Sequence, residues 1–223
     1  MIDPFLPPPR PLRPVRGMAV AVLVTLGVAV LAQVVWLLAE PAFFAKLIAI
    51  AEESGTEGAF ALVALVPFAV LLPAQFVAAV AFVLWLIRVR LNAESLSRVP
   101  HRWSKIFIVL GWLLPVVNWW IPKQIVDDVW VFSWPDGTGG GPTVRRGRSP
   151  LIWAWWMSWL LAFWVLPVAS RALASDEIEE LLEGPSAVDV ATLACTVMAA
   201  VLAGMVVLRI TRLQESRLAP SRG

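Results

Sequence analysis

Residue types that build many functional sites are scarce in this chain. Its single cysteine, Cys195, cannot form a disulfide within the chain. Its single histidine, His101, excludes haem held by two histidines and any multi-histidine metal site within one chain. There is no serine elbow, H-E-x-x-H or paired-cysteine motif. We therefore expect no metal, no cofactor and no catalytic residue of these classes.

Charge is scarce as well. Charged residues make up 15% of the 223 residues, against about 25% in ordinary soluble domains. Hydrophobic residues make up 59%, and the mean hydropathy is +0.77. No basic run is interleaved with aromatic residues, which argues against a nucleic-acid partner. A soluble fold could not bury this much apolar surface, whereas a fold surrounded by lipid does not need to.

Four apolar runs are long enough to cross a bilayer as helices, which takes about 20 residues. They are residues 18–39, 59–87, 151–170 and 187–208. None shows the short alternation of apolar and polar residues that is typical of outer-membrane barrel strands. The sequence therefore predicts an all-α integral membrane protein with four transmembrane helices.

A fifth apolar run, residues 106–121, is short for a span and contains Pro115 and Asn118. A proline breaks helical continuity and frees a carbonyl group. An asparagine can satisfy such freed backbone groups where water is scarce. We expect a re-entrant or interfacial helical elbow on the cytoplasmic side, and a fifth complete span is the alternative.

The positions of the basic residues predict the orientation. Lysine and arginine concentrate in loops that stay in the cytoplasm. Sixteen of the 18 lie in the N-terminal arm, the two loops beside the fifth run and the C-terminal tail. Arginine outnumbers lysine by 15 to 3, a skew that fits a GC-rich bacterial genome. The expected location is the bacterial inner membrane, with both termini cytoplasmic.

The segments outside the spans complete the predicted organisation. Residues 1–17 are proline-rich and indicate a disordered arm, and residues 133–150 are glycine-rich and indicate a flexible linker. Residues 18–212 form a single membrane domain, followed by a cytoplasmic tail over residues 213–223.

Two further segments, residues 41–53 and 122–132, each have one apolar face. Such a pattern favours a short amphipathic helix at the membrane interface. In the second segment Lys123 and Asp127 stand four residues apart, so we expect a weak pair on the polar face.

Particular strings near the elbow carry a family resemblance. A G-W-x-x-P-x-x-N-x-W-x-P string is matched by Gly111, Trp112, Pro115, Asn118, Trp120 and Pro122. An R-x-R-x-N-A-x-x-L pattern precedes it, matched by Arg88, Arg90, Asn92, Ala93 and Leu96, and W-W-x-x-W follows at residues 155–159. The chain resembles a bacterial membrane family named domain of unknown function 4328 over roughly residues 18–217. The resemblance implies four membrane helices and no known activity.

The candidate binding residues lie where basic and polar side chains meet the elbow: Arg88, Arg90, Asn92, Trp112, Asn118, Trp120 and Asp127. We expect a non-enzymatic protein that binds membrane lipids, a partner protein or a second copy of itself at the cytoplasmic interface. One alternative is a membrane enzyme acting on an amphiphile with Asp127, Asp128, Asn118 and Arg88. Another is a transporter or channel subunit.

Overall fold

A computed structural model describes residues 11–54, 66–96, 101–134, 149–173 and 185–218. Within these ranges the chain is helical and contains no strand. The α-helices are α1 (Arg16–Ser54), α2 (Val66–Leu96), α3 (Phe107–Leu113), α4 (Ile121–Phe132), α5 (Pro150–Leu160), α6 (Leu166–Leu173) and α7 (Ala187–Glu215). A 3-10 turn, Val117–Trp119, lies between α3 and α4, and a π-helical turn, Leu161–Val165, joins α5 to α6.

Four helical stretches of the described chain are long and apolar enough to cross a membrane: Arg16–Ile50, Ala69–Leu96, Pro150–Ala172 and Ala187–Glu215. At most a third of each hydrophobic window is buried within the protein. Large apolar side chains such as Leu38, Phe76 and Val201 face outward instead, as lipid-facing positions require. The prediction of four membrane-length apolar helices is confirmed. Residues 1–10, the start of the second predicted span and most of the predicted linker lie outside the described residues.

The first helix differs from its predicted form. The sequence indicated a separate interfacial helix over residues 41–53, but α1 runs without a break from Arg16 to Ser54 with Pro41 inside it. A proline removes only one backbone donor, and apolar helices tolerate this when the remaining hydrogen bonds hold. The prediction of a separate helix is therefore wrong.

The described residues group into two compact units. The described residues of unit one fall within the ranges 1–22, 81–153 and 204–223, and those of unit two within 23–80 and 154–203. Unit two holds a row of stacked rings on α5 and the π-helical turn, with Trp156 and Trp159 centred 4.8 Å apart. The π-helical turn ends just before Pro167, whose missing N–H and bulky ring disturb the regular helical hydrogen bonds.

In unit one the fifth apolar run folds into an elbow. It consists of the seven-residue helix α3, a turn at residues 114–116 and the 3-10 turn. Leu114 is extended, with φ −88° and ψ 116°, because a residue that precedes proline is driven out of the helical region. A seven-residue helix is about 10 Å long, a third of the hydrocarbon thickness. Helix α3 is therefore too short to form the fifth complete span that was the alternative.

The elbow returns closely onto α4. A Cβ atom at Gly111 would lie 3.4 Å from Cγ2 of Ile121 and 3.6 Å from Cγ of Pro122. These are ordinary van der Waals distances, so α3 packs against the start of α4, where Pro122 occupies the first turn and needs no backbone partner.

Helix α4 is the central element of unit one. The sequence predicted one buried face and one polar, solvated face for residues 122–132. In the structure every residue of α4 except Gln124 is buried. The charged side chains of α4, Lys123, Asp127 and Asp128, are therefore buried in the two ion pairs that they form.

Candidate functional site

A fully buried glutamine joins three helices of unit one. Gln214, near the end of α7, donates from Nε2 to the carbonyl oxygen of Val89 on α2 and to Oγ of Ser133, both at 2.9 Å. Its Oε1 accepts a 3.0 Å hydrogen bond from Nδ2 of Asn92. Oγ of Ser133 in turn donates a 2.7 Å hydrogen bond to the carbonyl oxygen of Val129. We call Asn92, Ser133 and Gln214 the glutamine junction.

The N-terminal segment is attached to this junction. Asn92 accepts from the backbone N–H of Arg13 at 3.1 Å and donates to the Arg13 carbonyl at 2.8 Å. The neighbouring Glu215 accepts from the N–H groups of Val15 and Arg16, at 2.7 and 3.0 Å, and so caps α1. A carboxylate is favourable at the positive N-terminal end of a helix. These contacts involve residues 13–16 of the predicted arm and residues 214 and 215 of the predicted tail.

A second set of charges holds the loop that enters the elbow. Arg90 is buried and donates to Glu94 at 3.1 Å and to the backbone carbonyl of Trp103 at 2.8 Å. Asp128 accepts from both the backbone and the guanidinium of Arg102, at 3.0 and 2.9 Å. Lys105 completes the set by pairing with Glu94 at 2.8 Å.

The third set is the pair Lys123 and Asp127, which joins at 2.6 Å with both side chains buried. The ammonium also lies 4.0 Å above the ring of Trp153. Burial raises the pKa of Asp127, and the hydrogen bond and charge of Lys123 oppose that shift. The predicted pair is present, but it is buried and not on the surface as we expected. A surface pair contributes little to stability, whereas removing one partner of a buried pair is strongly destabilising.

The sequence-predicted site residues all lie in unit one but do not converge on one point. Asn118 donates to the backbone carbonyl of Trp112 at 3.3 Å, within the elbow. Trp120 is 46% exposed. The adjacent carboxylates of Asp127 and Asp128 bind different partners, as their separation on a helix dictates. The convergent acid pair that the enzyme alternative needs is therefore not formed.

The charge balance of unit one is strongly positive. Its described part carries ten basic and four acidic residues. All four acids are engaged: Glu94, Asp127 and Asp128 with cations and Glu215 with α1. Six arginines have no acidic partner among the described residues, namely Arg13, Arg16, Arg88, Arg209, Arg212 and Arg217.

Gln214 and Glu215 lie in the predicted tail and are not among the site residues predicted from the sequence. A signal was available, because Val207, Ile210 and Gln214 follow each other at three- and four-residue spacing. All three are fully buried. That spacing places Gln214 on the same helix face as the apolar residues before it.

A comparison with protein-family models matches residues 57–212 to DUF4328, a domain of unknown function. The chain belongs to this family. The match covers part of each unit, including the elbow and its G-W-x-x-P-x-x-N-x-W-x-P string, and confirms the resemblance seen in the sequence. No curated protein and no solved structure matches this DUF4328 chain.

The glutamine junction predicts a stability effect. Replacing Gln214 by leucine leaves the Val89 carbonyl and the Asn92 and Ser133 side chains without this partner. Each buried polar group left unsatisfied costs about 1–3 kcal/mol. We expect a loss of about 2–4 kcal/mol, measured as a lower midpoint of thermal unfolding in detergent.

The matched control is Gln33→Leu, on α1 in unit two. Gln33 is half-buried and makes no hydrogen bond to described residues, so its replacement should change stability by less than about 0.5 kcal/mol. Equal effects of the two variants would contradict the role of the junction.

The buried pair predicts a pH-dependent effect. Lys123→Met leaves the Asp127 carboxylate buried without its cation, which costs about 3–5 kcal/mol. An acid whose pKa is raised on folding destabilises the fold at pH values above that pKa, and the penalty disappears once the acid is protonated. We therefore expect the unfolding deficit of Lys123→Met to shrink as the pH falls from about 8 to about 5.

The double variant Lys123→Met with Asp127→Leu removes both charges. It should unfold near the wild-type midpoint, because apolar replacement of a whole buried pair is often neutral or stabilising. A deficit in the double variant as large as in the single one, and independent of pH, would contradict this account.

Proposed function

We propose that this chain is a multi-pass protein of the bacterial inner membrane that binds anionic phospholipid headgroups at the cytoplasmic face and is not an enzyme. The observation that carries the proposal is the set of six arginines without acidic partners in unit one. Every acid of the described part of unit one is already engaged. The remaining positive charge is therefore available to an external anion.

The charges of the two units support this orientation. The described part of unit two carries two basic and four acidic residues, the reverse of unit one. Lysine and arginine near the ends of spans favour the cytoplasmic side. Unit one, with both chain ends, then faces the cytoplasm.

The surface of the elbow supports contact with lipid. Leu113 is 68% exposed and Val116 is 69% exposed, and Ile106, Trp119 and Trp120 are exposed beside them. Apolar tips flanked by indoles are typical of segments that enter the headgroup region. The elbow would dip into the inner leaflet beside the arginines.

Four of the arginines are brought near each other by the contacts of the N-terminal segment. Arg13 and Arg16 are held through their backbones by Asn92 and Glu215. Arg88 lies one helical turn before Asn92, and Arg212 one turn before Glu215. We call Arg13, Arg16, Arg88 and Arg212 the arginine cluster.

The quadruple variant Arg13→Gln, Arg16→Gln, Arg88→Gln and Arg212→Gln tests the proposal. Basic residues contribute about 1 kcal/mol each toward anionic lipid. Retention of phosphatidic acid or phosphatidylglycerol should therefore fall at least about tenfold. It is measured by native mass spectrometry of the full chain after extraction into detergent.

The control is Arg171→Gln on α6 in unit two, which removes an exposed arginine outside the cluster. It should leave lipid retention unchanged. Equal retention by the quadruple variant and the control would overturn the proposal, as would an absence of anionic lipid on the wild-type protein.

Orientation has its own test. Cys195 is replaced by alanine, and a new cysteine is placed at the exposed position Ala187 in unit two or Ser216 in unit one. A membrane-impermeant maleimide should label Ala187→Cys in spheroplasts and Ser216→Cys only after lysis. The opposite labelling pattern would contradict the orientation.

A further inference from the structure

One face of α4 and the residues just after it carries a row of polar and aromatic groups. Lys123, Asp127, Trp130 and Trp134 follow each other at intervals of four, three and four residues, which places them on one side of a helix. Contacts agree with this placement. Lys123 bonds Asp127 at 2.6 Å, and the rings of Trp130 and Trp134 are centred 6.4 Å apart.

Two buried polar atoms on this face have no hydrogen-bond partner within the part of the chain that the structure describes. They are Oδ1 of Asp127, whose side chain is 2% exposed, and the indole Nε1 of Trp134. Leaving a buried donor or acceptor unsatisfied costs about 1–3 kcal/mol. Such atoms are rare in native proteins, and their presence points to a missing partner.

The chemistry of the two atoms restricts that partner. Asp127 Oδ1 needs a donor, and Trp134 Nε1 needs an acceptor. An ammonium group is a poor donor here, because Lys123 already neutralises the carboxylate and would repel a second cation. A hydroxyl group is neutral and can both donate and accept. A headgroup with more than one free hydroxyl can supply both a donor to Asp127 Oδ1 and an acceptor to Trp134 Nε1.

A cation for the phosphate lies beside the same face. The guanidinium of Arg209, on α7, is 5.5 Å from the ring centre of Trp130, which stands between Asp127 and Trp134 in the row. Arg209 is exposed and has no acidic partner among the described residues. Trp134 is half-buried, so its ring is the part of the row nearest to the surface.

We infer that this face of α4 is a subsite for the hydroxyl-bearing headgroup of an anionic phospholipid. The phosphate pairs with Arg209, and the hydroxyls donate to Asp127 Oδ1 and accept from Trp134 Nε1. The inference rests on the proposed function and adds to it a selectivity for polyol over simple phosphate headgroups.

The test compares phosphatidylglycerol with phosphatidic acid of the same acyl chains, competing for the full chain in detergent and read by native mass spectrometry. The wild-type protein should prefer phosphatidylglycerol by about five- to tenfold, the value of one or two hydrogen bonds. Trp134→Phe keeps an aromatic ring but loses the N–H donor. Its preference should fall by about threefold, the value of the one hydrogen bond that is lost, because the hydroxyl bond to Asp127 remains. Its retention of phosphatidic acid should stay unchanged.

Trp164→Phe in unit two is the matched control and should keep the preference. A wild-type protein that retains both lipids equally would overturn the subsite and leave the proposed function standing. A preference as large in Trp134→Phe as in the wild-type protein would also overturn it. Loss of all anionic lipid from the wild-type protein would overturn the proposed function itself.

Discussion

The hydrogen bonds of Gln214 are the contacts on which the rest of unit one depends. One carboxamide links α2, α7 and the residue that ends α4, and through Asn92 it also holds the N-terminal segment. An apolar side chain at this position could not fix the three elements in register, because dispersion contacts have no direction. A carboxamide with all its partners satisfied fixes both distance and rotation. The placement of α4, and with it the elbow and both buried carboxylates, follows from this fixed frame.

Much of the architecture could be predicted because its causes are local. Runs of apolar residues give the four long helices, and Pro115 gives the turn of the elbow through the conformation that it imposes on Leu114. The divergence of Asp127 and Asp128 follows from helix geometry alone. The partners of Gln214 lie 81 to 125 residues away, and local patterns carry no information on such distances. The Lys123–Asp127 spacing is the same for a pair in water and a pair in a core, so its burial could not be predicted either.

Every acidic side chain in the described part of unit one is bound to another group of the protein. Two of the four acids also fix part of the backbone: Asp128 binds the N–H of Arg102 in the loop before the elbow, and Glu215 binds the start of α1. Asp128, Glu94 and Asp127 each pair with a basic side chain, whereas Glu215 binds backbone N–H groups. With ten basic and four acidic residues in the described part of unit one, these contacts leave a surplus of positive charge that attracts anions.

The cap that Glu215 places on α1 also constrains how the protein can be made. Helix α1 is synthesised first and inserts first, but the carboxylate that accepts its terminal N–H groups is 200 residues further along the chain. Until that residue has left the ribosome, the donors at the start of α1 depend on other partners such as water. This contact of unit one can therefore close only after α7 has been synthesised, long after α1 itself.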